Sequence, residues 1–500
     1  MTAGWPAGPA GLLCSGARLV AGAHRTRSKV PLGRQSRSGA LRLKHSRLVL
    51  TSGLILGVLA AGLLLARAKY GGAPNSLPTM PPPSKTDRVL IVAPHCDDET
   101  LGPGGLIASA IRAGAKVRVV LDTNGDGFHY AASRLFKEKS VPPLDYVKMG
   151  LDRQRETLAA LSELGLRADA ASFLSYPDGG TGEMWLSYWQ TDHRYTSPET
   201  LDDHSPYGDS LTPNAPYAGR ALLDDLKKII AAIKPTIIFC PHPNDEHKDH
   251  WAAYCYTLAA LYELGLLDST QVRTYLVHRG DWPRPRGLHR GLALLPPDDL
   301  AHLNTAWRAF PLDPELVELK HRAIQRYRSQ LLVMRDFLLS FVRTNELFGE
   351  TMVGELSVAL PGAVKVDGNA DDWRGASAAI VDPRDRNVPA SGDVIGVYAE
   401  WDGSKLLVRL DVAGKPASDI GYRVRLHPLL AGEVGSPQTY LLSTAGRASR
   451  ADVAFGASVI EAAIPLGSAE AFRGVMLAAE TDGADHLLDQ TAWALLRVRK

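Results

Sequence analysis

Four short apolar segments, each followed at once by polar residues, dominate the stretch between residues 88 and 250. They are RVLIVA at 88–93, KVRVVL at 116–121, FLSY at 173–176 and TIIFC at 236–240. Segments with helical periodicity lie between them, at about 106–112, 151–164 and 222–233. Largely apolar runs of this kind are typical of parallel strands buried on both faces. Strands that alternate with helices predict a Rossmann-like α/β domain built on a parallel sheet.

The polar clusters fall where these predicted strands end. His95-Cys96-Asp97-Asp98-Glu99 follows the first strand, and His247-Lys248-Asp249-His250 follows the fourth. In open α/β sheets, ligands bind outside the carboxyl ends of the strands. We therefore expect the two clusters to face one site.

Two imidazoles and one carboxylate in these clusters suit a metal ion. His95 and Asp98, from one tight loop, and His250, from the other, would leave coordination positions free for water and substrate on Zn²⁺. Iron(II) can occupy the same donor set. Asp97 would remain free to act as general base toward water.

The remaining polar residues complete the requirements of amide hydrolysis. His247, oriented by Asp249, would donate to the oxyanion and then to the leaving amine. A structural interpretation of each loop stays open. Asp97 or Asp98 would then cap the following helix, and His247 and Asp249 would be solvated.

Composition narrows the class of protein. The apolar fraction of 45% and the charged fraction of 22% are those of a globular chain. The net charge of +2 hides nine Lys and Arg residues at 1–47, where no acid occurs, so the remainder is mildly acidic. An acidic body argues against nucleic acid as a partner. Four cysteines without a CxxC spacing indicate neither a disulfide framework nor a cysteine zinc site. The sequence does not indicate an oligomeric state.

Residues 48–66 form a run of nineteen without a charge, long enough as a helix to cross about 30 Å of hydrocarbon. The basic leader at 1–47 precedes this run, which predicts a single-pass anchor with a cytoplasmic N-terminus and an extracytoplasmic catalytic domain. Residues 67–86 would be a Pro-rich linker. A cleaved signal peptide and an organelle transit segment are the alternatives.

The motifs of residues 87–350 resemble the LmbE-like, or PIG-L, N-acetylglucosaminyl deacetylase family. The matching segments are Pro94–Gly102, Arg153 with Glu156, Tyr176–Gly179, His247–His250, Lys320, Ser329-Gln330 and Glu346–Phe348. The resemblance implies an LmbE-like fold and zinc-dependent removal of an N-acetyl group from an amino sugar. It implies these site residues: metal ligands His95, Asp98 and His250, catalytic Asp97, His247 and Asp249, and substrate-binding Arg153 and Asp178.

The chain also departs from that family. Cys96 replaces the usual proline, and we expect its thiol to point into packing. Two stretches, 128–149 and 180–217, are longer than a compact member needs. The second is rich in Trp and Tyr, which predicts either a sugar-stacking lid or an ordinary insertion with its own small core. Arg153 has a surface alternative too, an ion pair with Glu156 at i, i+3.

The sequence also allows predictions for a second set of polar residues and for the C-terminal region. His242, Asp245 and His278 lie near predicted strand ends, and we expect them to support the ligands from outside the metal site. Residues 351–500 show short strands separated by turn residues, which predicts an all-β sandwich. The segments around Trp373 and Trp401 resemble family nine carbohydrate-binding modules. We expect these two tryptophans in the core rather than on a ligand platform.

Three functional hypotheses follow. The first is a membrane-anchored zinc deacetylase of an N-acetylated sugar or cell-surface glycan, with the sandwich concentrating glycan near the site. The second keeps the chemistry but takes a glycolipid such as N-acetylglucosaminyl-phosphatidylinositol. The third is a non-catalytic glycan-binding surface protein, which would require a missing ligand or base.

Overall fold

The computed structural model of the chain describes residues 77–303, 305–350, 353–442, 451–466 and 470–498. The predicted leader at 1–47, the predicted anchor at 48–66 and the first half of the predicted linker, residues 67–76, lie outside the described residues. Within those ranges, every helix is too short or too polar to cross a bilayer.

An α/β domain occupies residues 88–350. Its strands are β1 (Arg88–Ala93), β2 (Lys116–Thr123), β3 (Ala171–Tyr176), β4 (Ile237–Pro241), β5 (Gln271–Tyr275), β6 (Ala306–Pro311) and β7 (Asn345–Glu350). Its helices are α1 (Asp98–Leu101), α2 (Gly104–Arg112), α3 (His129–Phe136), α4 (Pro143–Glu163), α5 (Thr181–Leu186), α6 (Gly219–Ile233), α7 (Lys248–Glu263), α8 (Pro314–Ile324) and α9 (Arg328–Leu339).

The order of strands in the sheet places two loops side by side. The order is β3-β2-β1-β4-β5-β7-β6, and the first five strands are parallel. The chain moves outward from β1 in one direction and from β4 in the other, so the order reverses between these two neighbours. A reversal of this kind opens a crevice at the carboxyl ends of the two strands. The loops after β1 and β4, which contain the two predicted clusters, meet there.

Both faces of the central strand are buried, as its unbroken apolar sequence predicts. Val89 and Ile91 pack into a core on one face, which includes helix α2. Leu90 and Val92 pack into a second core on the other face, which includes α6 and α7. Helices therefore pack on both faces of the sheet, and this packing fixes the positions of the loops at the ends of its strands.

Two features of this domain differ from the expectation. Helix α4 begins at Pro143, eight residues before the predicted start at 151, because proline is well suited to the first turn of a helix. Strand β7 is antiparallel to both of its neighbours, β5 and the edge strand β6, so the sheet is mixed rather than wholly parallel.

The C-terminal region is all-β. Its strands are β8 (Gly354–Val358), β9 (Ile380–Val381), β10 (Val394–Trp401), β11 (Lys405–Val412), β12 (Gly421–Leu430), β13 (Glu433–Val434), β14 (Gln438–Leu442), β15 (Asp452–Phe455), β16 (Val459–Pro465), β17 (Phe472–Asp482), β18 (Leu487–Gln490) and β19 (Ala494–Val498). Strand β8 pairs with β19 through its first residues and with β10 through its last, so it joins two sheets.

The two sheets enclose one apolar core. Val397 and Leu410 from one sheet and Val424 and Leu477 from the other share a single buried cluster. Two packed sheets around a common core form a sandwich. Both Trp373 and Trp401 are buried, and the indole of Trp373 donates to the Glu461 carboxylate at 2.8 Å. They contribute to packing, as expected, and do not form an exposed ligand platform.

Candidate metal centre and active site

The loop after β1 is held in a tight turn by the side chain of Asp98, one of its own residues. The Asp98 carboxylate accepts the backbone N–H of His95 at 2.9 Å, and the N–H of Asp98 turns back toward the His95 carbonyl at 3.3 Å. Helix α1 then begins at Asp98 without a side-chain cap from Asp97. The capping role considered for Asp97 is therefore absent from this loop, and its carboxylate is free for other contacts.

Three donor atoms converge at the end of the sheet. His95 Nδ1 lies 3.1 Å from Asp98 Oδ2, His250 Nε2 lies 3.1 Å from the same oxygen, and the two nitrogens are 3.2 Å apart. Ligands at about 2.0–2.1 Å around a tetrahedral ion are separated by about 3.3 Å. The triangle therefore has the size that a zinc-like ion requires, and it uses the three ligands predicted from the sequence.

The nitrogen of each histidine that faces away from the triangle is held by carboxylates. His95 Nε2 lies 3.1 Å from Asp249 and 3.1 Å from Asp178, and His250 Nδ1 lies 3.1 Å from Asp245. A carboxylate on the outer nitrogen fixes the tautomer that leaves the inner nitrogen free to bind a metal. This is the arrangement of a metal site prepared in advance by the fold.

The electrostatics of the cluster favour a cation. Burial alone would lower the pKa of His95, but Asp178, Asp249 and Asp98 outweigh it and raise the pKa well above the ordinary value. Burial would raise the pKa of Asp98, but His250 and His95 hold it well below. Carboxylates outnumber fixed positive charges here, so a divalent ion would relieve a charge imbalance. The donor set, its spacing and its charge all fit such an ion.

Asp97 lies beside the triangle and is buried. Its Oδ2 accepts from Gln330 Nε2 at 2.9 Å and lies 3.9 Å from the guanidinium of Arg153. Burial and the neighbouring Asp98 carboxylate raise the pKa of Asp97 to about 7, against the opposing charge of Arg153. A carboxylate poised near neutral pH is suited to take and return a proton.

His247 caps helix α7 and presents its ring to the same site. Its Nδ1 accepts the backbone N–H of Asp249 at 3.3 Å, and its ring centroid lies 4.6 Å from that of His95. Burial and the proximity of His95 lower the pKa of His247 to about 4. The ring is therefore neutral at physiological pH with its proton on Nε2, which makes it a donor toward the site.

The Asp249 carboxylate contacts His95 and the start of helix α5. It accepts from Gly179 N–H at 2.6 Å, from Thr181 N–H at 3.0 Å, from Thr181 Oγ1 at 2.7 Å and from His95 Nε2 at 3.1 Å. Toward His247, the hydrogen bond comes from the backbone N–H of Asp249. Helix α7 turns the Asp249 carboxylate toward His95, and the expectation that this carboxylate also orients His247 stays a prediction.

Arg153 is buried rather than at the surface. Its guanidinium donates to the carbonyls of Gly125 and Cys96, the latter at 3.3 Å. Gly125 has φ of +66°, and a Cβ there would fall 2.2 Å from the guanidinium. Glu156 instead accepts from the N–H and hydroxyl of Ser329 at 2.9 and 2.6 Å, so the surface ion pair considered for Arg153 does not form.

Asp178 lies at the rim of the cluster. One carboxylate oxygen faces His95 and the other accepts the N–H of Gly127 at 2.8 Å. Burial would raise the pKa of Asp178, but His95 outweighs it and lowers the pKa. Arg153 therefore lies beside Asp97, and Asp178 lies beside His95.

Several residues of the site were not assigned a role from the sequence. Gln330, which contacts Asp97, is separated from it by more than two hundred residues, so no local pattern connects them. Asp122 ends β2 with its Oδ1 buried and unpartnered, and burial together with Asp249 raises its pKa to about 8. Asp126 accepts from Tyr207 at 2.6 Å. The position of Asp122 and Asp126 at a strand end is the one signal that could have indicated them.

Two of the three residues expected to support the ligands, Asp245 and His278, contact His250. Asp245 holds His250 and also accepts the N–H groups of Val277 and His278 at 2.9 and 3.0 Å. His278 packs against the His250 ring at 4.7 Å between centroids. His242 accepts the N–H of Asn244 and contacts Thr305, farther from the triangle. Asp245 is thus the outer partner of His250, as Asp249 is of His95.

Four of the aromatic residues in the insertion at 180–217 pack inside the protein. Trp185, Trp189, Tyr207 and Tyr217 are all buried. Trp185 and Trp189 join the core that contains helix α7 and residues of the sandwich. These four residues fit the interpretation of the insertion as a packed segment rather than as a sugar-stacking lid.

Comparison with known proteins supports the family resemblance. Residues 90–261 match the family model PIG-L, described as GlcNAc-PI de-N-acetylase. The chain is 32% identical over 175 residues to a 1D-myo-inositol 2-acetamido-2-deoxy-alpha-D-glucopyranoside deacetylase of Mycobacterium sp. (strain KMS), covering 35% of this chain and 50% of the relative. It is 30% identical over 177 residues to the protein of that name from Mycolicibacterium vanbaalenii, covering 35% and 55%. The chain thus spans about half the length of the curated relatives it matches.

Among solved structures, the chain is similar to a deacetylase of the teicoplanin biosynthesis pathway. The identity is 21%, the match covers 52% of this chain and 96% of that chain, and the TM-score is 0.35. The motif residues of both loops lie within the stretch matched by the family model. Residues 90–261 are therefore similar in sequence, motifs included, to the PIG-L, or LmbE-like, deacetylase family.

Proposed function

We propose that the chain is a metal-dependent N-deacetylase that hydrolyses the acetamide of an N-acetylated amino sugar. The observation that carries the proposal is the triangle of His95 Nδ1, Asp98 Oδ2 and His250 Nε2, with separations of 3.1–3.2 Å, beside the buried Asp97. A divalent ion bound by these three residues would polarise the amide carbonyl and lower the pKa of water. Zinc is the ion we propose, and iron(II) suits the same donors.

The chain's own residues supply the proton transfers. Asp97, held by Gln330, takes a proton from the attacking water as the water oxygen bonds to the carbonyl carbon. His247 donates a hydrogen bond from Nε2 to the oxygen that gains negative charge. The carbon–nitrogen bond then breaks as the leaving amine receives the proton that Asp97 took from the water, and acetate is released.

The substrate class follows from the rim of the site and from the relatives. Arg153 and Asp178 offer a guanidinium and a carboxylate, which suit a polyhydroxylated ring. The family model and the mycobacterial relatives carry names of enzymes that deacetylate inositol-linked N-acetylglucosamine. An amino sugar is therefore the proposed class, either in a cell-surface glycan or linked to inositol, as in the glycolipid N-acetylglucosaminyl-phosphatidylinositol.

Acetate release from the purified full-length chain tests this function. The substrates are N-acetylglucosamine, chitin oligomers, inositol-linked N-acetylglucosamine and its phosphatidylinositol form, each with chelator and after addition of zinc or iron(II). We expect release from at least one substrate, loss with chelator and recovery with metal. Asp97→Asn should retain metal and lose hydrolysis, while Asp152→Asn on the exposed face of helix α4 serves as control. A metal-free, inactive wild type would instead favour a non-catalytic glycan-binding protein.

The location of the enzyme is a separate proposal. The uncharged run at 48–66 and the basic leader before it support a single-pass membrane anchor with the catalytic domain outside the cytoplasm. Protease treatment of intact cells tests it: degradation of the catalytic domain is expected, and protection until the cells are opened would contradict the topology. Recovery of the chain in the aqueous fraction after carbonate extraction would contradict the anchor.

A further inference from the structure

The C-terminal sandwich packs directly against the domain that contains the site. Trp493, just before β19, lies 5.7 Å from Trp185 and 5.9 Å from Trp251 between ring centroids, stacked on the latter at 25°. His427 of β12 lies 4.1 Å from the ring of Trp185. All four rings are buried. This face of the sandwich is therefore covered by the α/β domain and is closed to a glycan.

His427 adds a directional contact to this packing. Its Nε2 lies 3.0 Å from the backbone carbonyl of Trp185, and its Nδ1 lies 2.9 Å from the carbonyl of Gly435 in the sandwich. A carbonyl only accepts, and burial lowers the pKa of His427 to about 4, so the neutral ring has one N–H and donates to one of the two carbonyls at a time. The imidazole thus lies between the backbone of the sandwich and that of helix α5.

Helix α5 begins in the active site. Its first residue, Thr181, donates its N–H and its hydroxyl to Asp249, and Gly179 just before it donates a third hydrogen bond. Asp249 in turn contacts Nε2 of His95. Trp185 lies one helical turn after Thr181 in the same six-residue helix. The sandwich therefore packs against the helix whose first residue donates hydrogen bonds to Asp249.

A helix this short gains little stability from its own hydrogen bonds and depends on tertiary packing. At the C-terminal end of this helix, the Trp185 ring packs against Trp189 and Tyr256 of its own domain. It also packs against His427 and Trp493 of the sandwich. Loss of the sandwich contacts would loosen the start of the helix, and with it the three donors to Asp249.

We propose that the sandwich acts as a buttress of the metal centre, with His427 and Trp493 as positioning residues that hold the Gly179–Thr181 donors on Asp249. The proposal assigns the sandwich a part in the site in addition to any glycan contact on its other surfaces. Its catalytic consequence rests on the proposed deacetylase function, but its structural consequence does not.

The test uses the full-length chain with His427→Ala and Trp493→Ala. Hydrogen exchange followed by mass spectrometry reports the protection of a peptide covering residues 177–186, and chelator competition reports zinc affinity. The control is Arg497→Ala, which removes a different contact between the domains, the pair with Asp268 at 2.6 and 2.9 Å. His427→Gln retains a donor and serves as the rescue variant.

In both test variants we expect faster exchange in that peptide and zinc affinity weakened by about tenfold, the lower end of what outer-partner changes cost at metal sites. Arg497→Ala should match the wild type in both, and His427→Gln should recover most of the affinity. On an active substrate, kcat should fall while KM changes little. Wild-type exchange and affinity in both test variants would overturn the proposal. An inactive wild type with the expected exchange and affinity changes would overturn the deacetylase function and leave the buttress standing.

Discussion

Replacing Asp249 by asparagine tests how the fold prepares His95, the proposed metal ligand. All four partners of the carboxylate are donors: Gly179 N–H, Thr181 N–H, the Thr181 hydroxyl and His95 Nε2. An amide has one acceptor oxygen, so its NH₂ must face a backbone N–H on either side. One backbone N–H then loses its acceptor, which costs about 1–3 kcal/mol if it is that of the buried Thr181 and less if it is that of the exposed Gly179. One of the two carboxylate charges that hold the proton on His95 Nε2 is lost as well, while Asp178 remains, and we expect zinc affinity to fall about 10–100-fold.

The assay is chelator competition on the purified full-length chain, with Lys248→Ala as the control. Lys248 is the neighbouring residue on helix α7 and makes only an exposed ion pair with Glu183. The control should bind zinc as the wild type does. If Asp249→Asn bound zinc normally and altered only the step that needs a donor from His247, the carboxylate would serve His247, and the role assigned to it here would be refuted.

Three further predictions concern Asp97, the Arg153 contact and the sandwich. Gln330→Ala should lower kcat about tenfold or more with metal content unchanged, because Asp97 loses the donor that fixes it; wild-type kcat would contradict this. Gly125→Ala should lower both kcat/KM and Tm, because its methyl displaces the Arg153 guanidinium; unchanged values would show that the guanidinium can move. Burial and Asp489 raise the pKa of Asp382 to about 8, so the unfolded chain releases this proton at lower pH and stability falls as pH rises from about 4 to 8. Asp382→Asn should therefore exceed the wild-type Tm by about 2 °C or more at pH 8 and match it at pH 4, and an equal difference at both pH values would exclude this titration.

The parts of the fold that were predictable are those that local pattern determines. The unbroken apolar sequence of β1 reflects burial on both faces, and its polar end indicates the edge of the sheet where ligands bind. The convergence of His95, Asp98 and His250 was predictable because each loop carries its donors within a few residues. Parallel pairing of β1 with β4 then brings the two loops together.

The parts that were not predictable depend on contacts distant in sequence. Asp249 sits beside His247 in the chain, yet its side chain leaves the helix toward His95 and the Gly179 loop, about seventy residues away. Trp185 in an insertion could have been a sugar platform, and only its partners His427 and Trp493 in another domain show that it is buried. Arg153 and Glu156 have the spacing of a surface pair, but each finds a buried or more distant partner instead.

Metal analysis of the purified full-length chain tests the central claim most directly. The account predicts about one zinc or iron ion per chain in the wild type, and loss of that ion in each of His95→Ala, Asp98→Ala and His250→Ala, with Lys248→Ala unchanged. A wild type that stays metal-free after loading with zinc or iron(II), or three variants that all keep a stoichiometric ion, would contradict it.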